Sequence, residues 1–147
     1  DATLDSHFLC ESRLIPLAAP GVFEIESDGF VSDEQLKKHI HILVSDSAKE
    51  KSNKKYNVLD GGRQWTVSDM NVKKELMLAG LGWGTLPEYL VKSELDAGRL
   101  VKFKSHQIKD FVARICAFRK KNAVHGPVAS KLWEGLQALA NLSDFPR

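Results

Sequence analysis

The sequence predicts an α/β domain with a mixed sheet flanked by helices. The spacing of apolar residues changes repeatedly along the chain, from the dense or alternating pattern of strands to the 3.6-residue spacing of helices. Segments of the two kinds alternate for most of the 147 residues, an order typical of sheets covered by helices. The composition, 43% hydrophobic and 27% charged, is that of a globular domain rather than a disordered chain.

Composition and charge exclude several classes of protein. Lys and Arg number 21 against 19 Asp and Glu, so a net charge of +2 provides no strong field for nucleic acid or acidic membranes. No apolar run approaches the roughly 18 residues of a membrane span. The two cysteines, Cys10 and Cys116, match neither a disulfide framework nor a zinc pattern. We therefore predict a cytoplasmic domain without a metal or cofactor, and the first residue, Asp1, suggests a piece of a longer protein.

The first third of the chain predicts a strand and a short helix. Dense apolar residues over Phe8–Leu17, followed by the turn pair Pro20-Gly21, predict a strand. Ser32 and Gln35 form a capping box, in which the Ser32 side chain accepts from the Gln35 N–H and the Gln35 side chain reaches back to the Ser32 N–H. A helix is therefore expected from Asp33 to about His39.

The middle of the chain predicts a buried strand, a hairpin and a helix. The strand covers His39–Val44 and is rich in β-branched residues. A polar loop over Lys49–Lys55 follows it. The turn signal Asp60-Gly61-Gly62 lies between two apolar arms, Tyr56/Val58 and Trp65/Val67, which is typical of a hairpin. Ser68 is the predicted N-cap of a helix that continues through Ala79.

The last third predicts three strands and two helices. Pro87 is suited to the first position of a helix that ends near Gly98, and Pro127 opens the last helix. The predicted strands are Trp83–Leu86, Leu100–Phe103 and Phe111–Phe118. The last helix carries an apolar face, formed by Val128, Leu132, Leu136 and Leu139. We expect this face to be buried against its own lobe or against a neighbouring chain.

Hydroxyl side chains follow two of the predicted strands. Ligands of open α/β sheets collect at the carboxyl ends of strands, and Ser45-Asp46-Ser47 and Thr66-Val67-Ser68 occupy such places. Hydroxyls and free backbone amides suit a polar or carboxylated small molecule. The alternative is that the serines are turn residues and that Ser68 only caps its helix. Asp69 argues against a strongly anionic group at that helix end.

No catalytic or metal-binding pattern stands out. His39 and His41 would share one face of a strand, but packing is the favoured interpretation because no third ligand lies nearby in sequence. The glycines of Gly80–Gly84 follow a helix and precede a strand, the reverse of a dinucleotide-binding loop. We therefore predict that the chain is not an enzyme.

A longer motif carries a family resemblance. The segment Leu78–Val91, with the letters LAGLGWGTLPEYLV, is followed by ELDAGRLV at Glu94–Val101. Together they resemble the AGLGxxxLPxxLvxxELxxGRLV signature of the effector-binding domain of LysR-type transcriptional regulators. Val31–Leu36, Trp65–Asp69 and the segment before Pro127 are similar to other parts of that domain.

The resemblance implies a periplasmic-binding-protein-like (type 2) fold that binds a small inducer in a cleft between two lobes. Residues of about 22–103 would form the second lobe. Residues 1–21 and 104–147 would form crossover strands and a remnant of the first lobe with the C-terminal helix. The DNA-binding helix-turn-helix would be absent from this chain, and most of the first lobe with it. Pairing into a homo-oligomer is also implied.

Carried over by position, the family's second-lobe effector contacts fall near Ser45, Ser47, Thr66 and Ser68. Trp83 stands where the family usually has a smaller aliphatic residue, so it either shapes the pocket wall or hinge or fills the core. The effector would be a small molecule, a carboxylate being one candidate, and DNA would be read only through the absent N-terminal domain. A solute-binding lobe of a transport system is the alternative function.

Overall fold

A computed structural model describes residues 3–45 and 59–140, which form six strands and four helices. The strands are β1 (Leu4–Ala18), β2 (His41–Val44), β3 (Gln64–Val67), β4 (Trp83–Pro87), β5 (Val101–Lys102) and β6 (Phe111–Lys120). The helices are α1 (Asp33–Lys38), α2 (Met70–Leu78), α3 (Glu88–Asp96) and α4 (Pro127–Ala140). The chain divides into two compact units, one of Leu14–Phe111 and one of Asp1–Arg13 with Val112–Arg147.

The larger unit contains a mixed sheet in the order β3-β2-β4-β1-β5. Strand β2 runs parallel to both β3 and β4, whereas β1 is antiparallel to β4 and β5. The prediction of a mixed sheet flanked by helices is therefore confirmed. Because β2, β3 and β4 point the same way, the residues that follow them emerge at one edge of the sheet.

Two apolar clusters cover the two faces of this sheet. Helices α2 and α3 cover one face of the sheet, where they pack on Ile42, Leu86 and their neighbours. Helix α1 covers the other face, where it packs on Trp83 and Phe103. Successive residues of a strand point to opposite faces, which explains why Trp83 and Leu86, three positions apart in β4, belong to different clusters. Both clusters consist of residues whose side chains are almost completely buried.

The capping box at α1 forms only in part. The Ser32 hydroxyl accepts from the Gln35 backbone N–H at 3.3 Å, as predicted. The Gln35 side chain does not return to Ser32. Its amide instead donates to the Glu24 carbonyl and accepts from the Glu24 N–H, each at 2.9 Å. The backbone N–H and carbonyl of Glu24 satisfy both ends of the amide, which a single N–H at Ser32 could not do.

The N-cap of α2 is Asp69, and the prediction of Ser68 is wrong by one residue. An oxygen of the Asp69 carboxylate accepts from the N–H groups of Asn71 at 2.8 Å and Val72 at 3.0 Å. A carboxylate satisfies two free amides of the first turn, and its charge complements the helix dipole better than a hydroxyl does.

The predicted hairpin is described only in its second arm. Strand β3 forms that arm, and its partner among the described residues is β2, in parallel register. The first arm at Tyr56/Val58 and the predicted loop over Lys49–Lys55 lie outside the described residues. Pro87 is the last residue of β4 and precedes α3, one position earlier than predicted, and Gly98 lies just beyond the helix with a φ of +70°.

The smaller unit pairs β6 with the first part of β1 and includes α4, which begins at Pro127 as predicted. Its buried helix residue is Trp133, whose indole lies 4.5 Å from the Arg119 guanidinium and 4.4 Å from the His7 ring. In the predicted apolar face of α4, Val128, Leu132 and Leu139 are 84%, 65% and 42% exposed, and Leu136 is half-buried, so its own unit does not bury this face. Burial against a neighbouring chain stays a prediction. No described helix is both long and apolar enough to cross a membrane.

The cap of α2 gives a first test. Replacing Asp69 by Ala leaves two first-turn amides without their acceptor, so we expect the free energy of unfolding to fall by about 1 kcal/mol. Urea denaturation monitored by circular dichroism measures this change. Ser68→Ala is the matched control, and we expect it to change the stability by less than about 0.5 kcal/mol. Equal losses in the two variants would contradict the assignment of the cap.

Candidate functional site

The carboxyl ends of β2 and β3 lie side by side. Val44 and Val67, the last residues of these strands, are register partners, and Leu43 is paired with Thr66. The Ser45 N–H donates to the Val67 carbonyl at 2.8 Å, which continues the pairing one residue past β2. This hydrogen bond holds the residue after β2 beside the residue after β3.

Three of the five predicted effector contacts meet at this edge. Ser45, Thr66 and Ser68 are all exposed there, on adjacent strands or directly after them. Ser47 lies outside the described residues. We refer to Ser45, Thr66 and Ser68 as the strand-end cluster. It offers three accessible hydroxyls, each able to donate and accept hydrogen bonds. Its role in binding an effector remains a prediction.

The fifth predicted contact, Trp83, lies elsewhere. It begins β4, at the other end of the sheet, where its register partners are Ala18 and His41. The side chain is fully buried, and its indole N–H donates to the Leu36 carbonyl at 3.0 Å. A buried indole needs this partner for its one donor. Trp83 therefore fills the core, which is one of the two roles that the sequence left open for it.

The N-terminus of α2 adjoins the strand-end cluster. Asp69 follows Ser68 directly, and its carboxylate already accepts from the first-turn N–H groups. The carboxylate adds a negative charge where free helix amides would otherwise attract an anion. An anionic ligand group therefore needs a different partner in this lobe.

Lys73 is a buried cation that the sequence reasoning missed. It lies on α2 and is 3% exposed, and burial lowers its pKa to about 8. The sequence contained one signal of this burial. Met70, Lys73 and Met77 follow helical spacing, so Lys73 lies in an otherwise apolar stripe of α2. Lysines are almost never fully buried without a partner, which makes this position unusual.

His41 is a second buried base. Its imidazole stacks on the Trp83 indole with 3.9 Å between ring centroids, and neither ring nitrogen has a hydrogen-bond partner within residues 3–45 and 59–140. Burial, and secondarily the nearby charge of Lys73, lower its pKa to about 4, so the ring is neutral at neutral pH. His39, predicted to begin this strand, is instead the C-cap of α1 and packs edge-on against Phe23. Among the described residues, no three His, Cys, Asp or Glu side chains are placed to hold a metal.

Comparison with protein families and solved structures shows what the chain resembles. Residues 1–141 match the LysR substrate binding domain. The chain is 38% identical over 69 residues to the uncharacterized HTH-type transcriptional regulator YeeY of Escherichia coli. It is 36% identical over 63 residues to the probable HTH-type regulator YhaJ of the same organism. These matches cover 47% and 43% of this chain but only 22% and 21% of the two relatives.

Solved structures share the fold at low sequence identity. The bromide-bound regulatory domain of HypT from Salmonella typhimurium has a TM-score of 0.67 at 23% identity, over 95% of this chain and 66% of that one. The CrgA regulatory domain from Neisseria meningitidis, described as a LysR-type regulator, has a TM-score of 0.66 at 22% identity over 95% and 69%. These likenesses confirm the predicted periplasmic-binding-protein-like (type 2) fold.

The buried ammonium of Lys73 predicts a pH dependence of stability. Its pKa is about 8 in the folded chain and 10.5 when unperturbed, so the folded state loses this proton first as the pH rises. The cost of burying the charge, about 3 kcal/mol, is complete below pH 8 and disappears by about pH 10.5. We expect Lys73→Met to stabilise the chain at pH 7 by about this amount and to have less effect at pH 10.

Urea denaturation at the two pH values measures the difference. Lys92→Met is the matched control, since Lys92 is an exposed lysine of α3 that pairs with Asp96. An exposed ion pair of this kind contributes little to stability. A stabilisation by Lys73→Met that does not change between pH 7 and pH 10 would contradict the assignment.

Proposed function

Because the chain belongs to the LysR substrate binding domain family, we propose that it is the ligand-sensing regulatory domain of a LysR-type transcription regulator. It binds a small-molecule inducer at the strand-end cluster. The observation that supports this proposal is the Ser45–Val67 hydrogen bond at the ends of β2 and β3, which brings exposed hydroxyls from two segments to one edge. Such convergent polar groups at strand carboxyl ends are typical of ligand sites in α/β sheets.

The proposed mechanism is a shift between conformations of the whole regulator. A ligand changes such an equilibrium only by the difference between its affinities for the two states. The relatives YeeY and YhaJ are described as HTH-type regulators, and this chain matches about a fifth of each. DNA is therefore read by a separate helix-turn-helix domain, and this domain reports whether the inducer is bound.

Two other functions have less support. A solute-binding lobe of a transport system has the same fold, but the family match and the HTH-type relatives favour a regulator. Catalysis by this domain is not part of the proposal, since the family consists of transcription regulators. The proposed site of action is the cytoplasm, where DNA is accessible.

Hydroxyl removal tests the binding site. A thermal-shift screen of small carboxylates on the intact regulator identifies a stabilising compound, and calorimetry measures its affinity. We expect replacement of both Ser45 and Thr66 by Ala to weaken binding by about tenfold or more, since each lost hydrogen bond contributes about 1 kcal/mol. Ser6→Ala, at an exposed serine of β1, is the control. Unchanged affinity of the double variant would show that the site is wrongly assigned.

Self-association is the second part of the proposal. The exposed face of α4, formed by Val128, Leu132 and Leu139, offers apolar area that a second copy can cover. Light scattering coupled to size-exclusion chromatography measures the mass in solution. We expect a dimer or larger species, and we expect Leu132→Lys to shift it towards monomer. A monomer at high concentration would rule out this role for α4.

A further inference from the structure

The face of the sheet that α1 covers becomes accessible towards the carboxyl ends of its strands. Where α1 packs on this face, the register places Ala18, Trp83 and His41 in one row, and all three are almost completely buried. Two residues further along β2 and β4, the same face carries Leu43 and Thr85, which are only half-buried. Cover by α1 therefore ends near this second row, and solvent reaches its side chains.

The second row continues onto β3. Leu43 is the register partner of Thr66, so the exposed Thr66 shares its face of the sheet. We call Thr66, Leu43 and Thr85 the open row. Because neighbouring strands lie about 4.8 Å apart, the two threonines on either side of β2 are separated by about 10 Å. The open row thus has a hydroxyl at each end and an apolar side chain between them.

The opposite face of these strands belongs to the helices. Val67 and Leu86, the sequence neighbours of Thr66 and Thr85, lie in the apolar cluster that α2 and α3 cover. Since successive residues of a strand point to opposite faces, both threonines point away from that cluster. A ligand that bonds to the Thr66 hydroxyl therefore lies on the α1 side of the sheet.

The charges near the open row favour an uncharged ligand group. None of its three residues ionises, and the Asp69 carboxylate directly after Ser68 repels an anion. That carboxylate accepts from the first-turn amides of α2, whose helix dipole already offsets its charge. Groups that form hydrogen bonds without a charge, such as hydroxyls and amides, match this environment best.

We propose that Thr85 is a further effector-binding residue and that the effector lies across the open row, with one end at Thr66 and the other at Thr85. The inference rests on the proposed function and specifies the class of ligand, a small molecule with an uncharged polar group at each end of an apolar body. A hydrogen bond of about 3 Å at each end leaves a span of at least about 4 Å, which one ring with para substituents fills. The ring covers Leu43 and so removes apolar surface from water.

Two neutral amides serve as probes, 4-hydroxybenzamide with two polar ends and benzamide with one. Isothermal titration calorimetry on the intact regulator measures the affinity of each. We expect 4-hydroxybenzamide to bind the parent about fivefold more tightly, because its hydroxyl adds one hydrogen bond at Thr85. We expect Thr85→Val to abolish this preference by weakening 4-hydroxybenzamide alone, and Thr85→Ser, which retains a hydroxyl, to keep it. Val has nearly the volume of Thr and is favoured in strands, so we expect the variant to fold.

A residue on the other face of β3 provides the matched control. Trp65 precedes Thr66, pairs with Ile42 and is exposed on the side of the sheet that α2 and α3 cover. We expect Trp65→Leu to leave the affinity for both amides unchanged. A loss of affinity in Trp65→Leu but not in Thr85→Val would place the ligand on the wrong face for this inference and overturn it.

Each remaining result has a separate meaning. Equal weakening of both amides by Thr85→Val would show a general structural effect and overturn the contact with the second polar end. Unchanged affinities in Thr85→Val would overturn the role of Thr85, and no binding of either amide to the parent would overturn the class of ligand. Both leave the proposed function intact if a compound from the carboxylate screen binds. If no small molecule binds the intact regulator, the proposed function itself fails.

Discussion

The parallel pairing of β2 with β3 and with β4 is the constraint on which the candidate site depends. Parallel strands present their carboxyl ends at one edge, so residues distant in sequence, such as Ser45 and Ser68, become neighbours. An antiparallel arrangement of β2 and β3 would place these serines at opposite ends of the sheet. The Ser45–Val67 hydrogen bond extends this pairing by one residue beyond β2 and so positions Ser45 as well as the strands themselves.

Local periodicity was sufficient to predict most elements, because a strand or helix is defined by neighbouring residues. The extent of α1, the start of α4 and the existence of β4 all follow from short-range patterns. Individual hydrogen bonds do not follow from such patterns. Gln35 bonds to Glu24, eleven residues away, and the choice of Asp69 over Ser68 as N-cap depends on backbone geometry that either residue type permits. Pairing between distant segments is not encoded in a local pattern.

The residues of the candidate site also differ in whether the sequence could predict their placement. The strand-end cluster could be found from sequence because hydroxyls after strands have a general meaning in α/β sheets. Trp83 could not be placed, because pocket wall and core filling require the same kind of residue at the same position. Lys73 was missed because a lysine in a helix is normally a solvated residue. The apolar stripe of Met70 and Met77 around it was the one local signal of its burial, but the contact with Gly84 arises only when α2 packs on the sheet.

Two buried basic groups lower the stability of the larger unit. Lys73 is 3% exposed, and burial lowers its pKa. The imidazole of His41, stacked on Trp83, has no hydrogen-bond partner among the described residues. A domain that retains such groups is less stable than its apolar packing would allow, as functional sites often are. A regulator reports a ligand only through a difference between its bound and free states, so a unit of limited stability is one that ligand binding can shift.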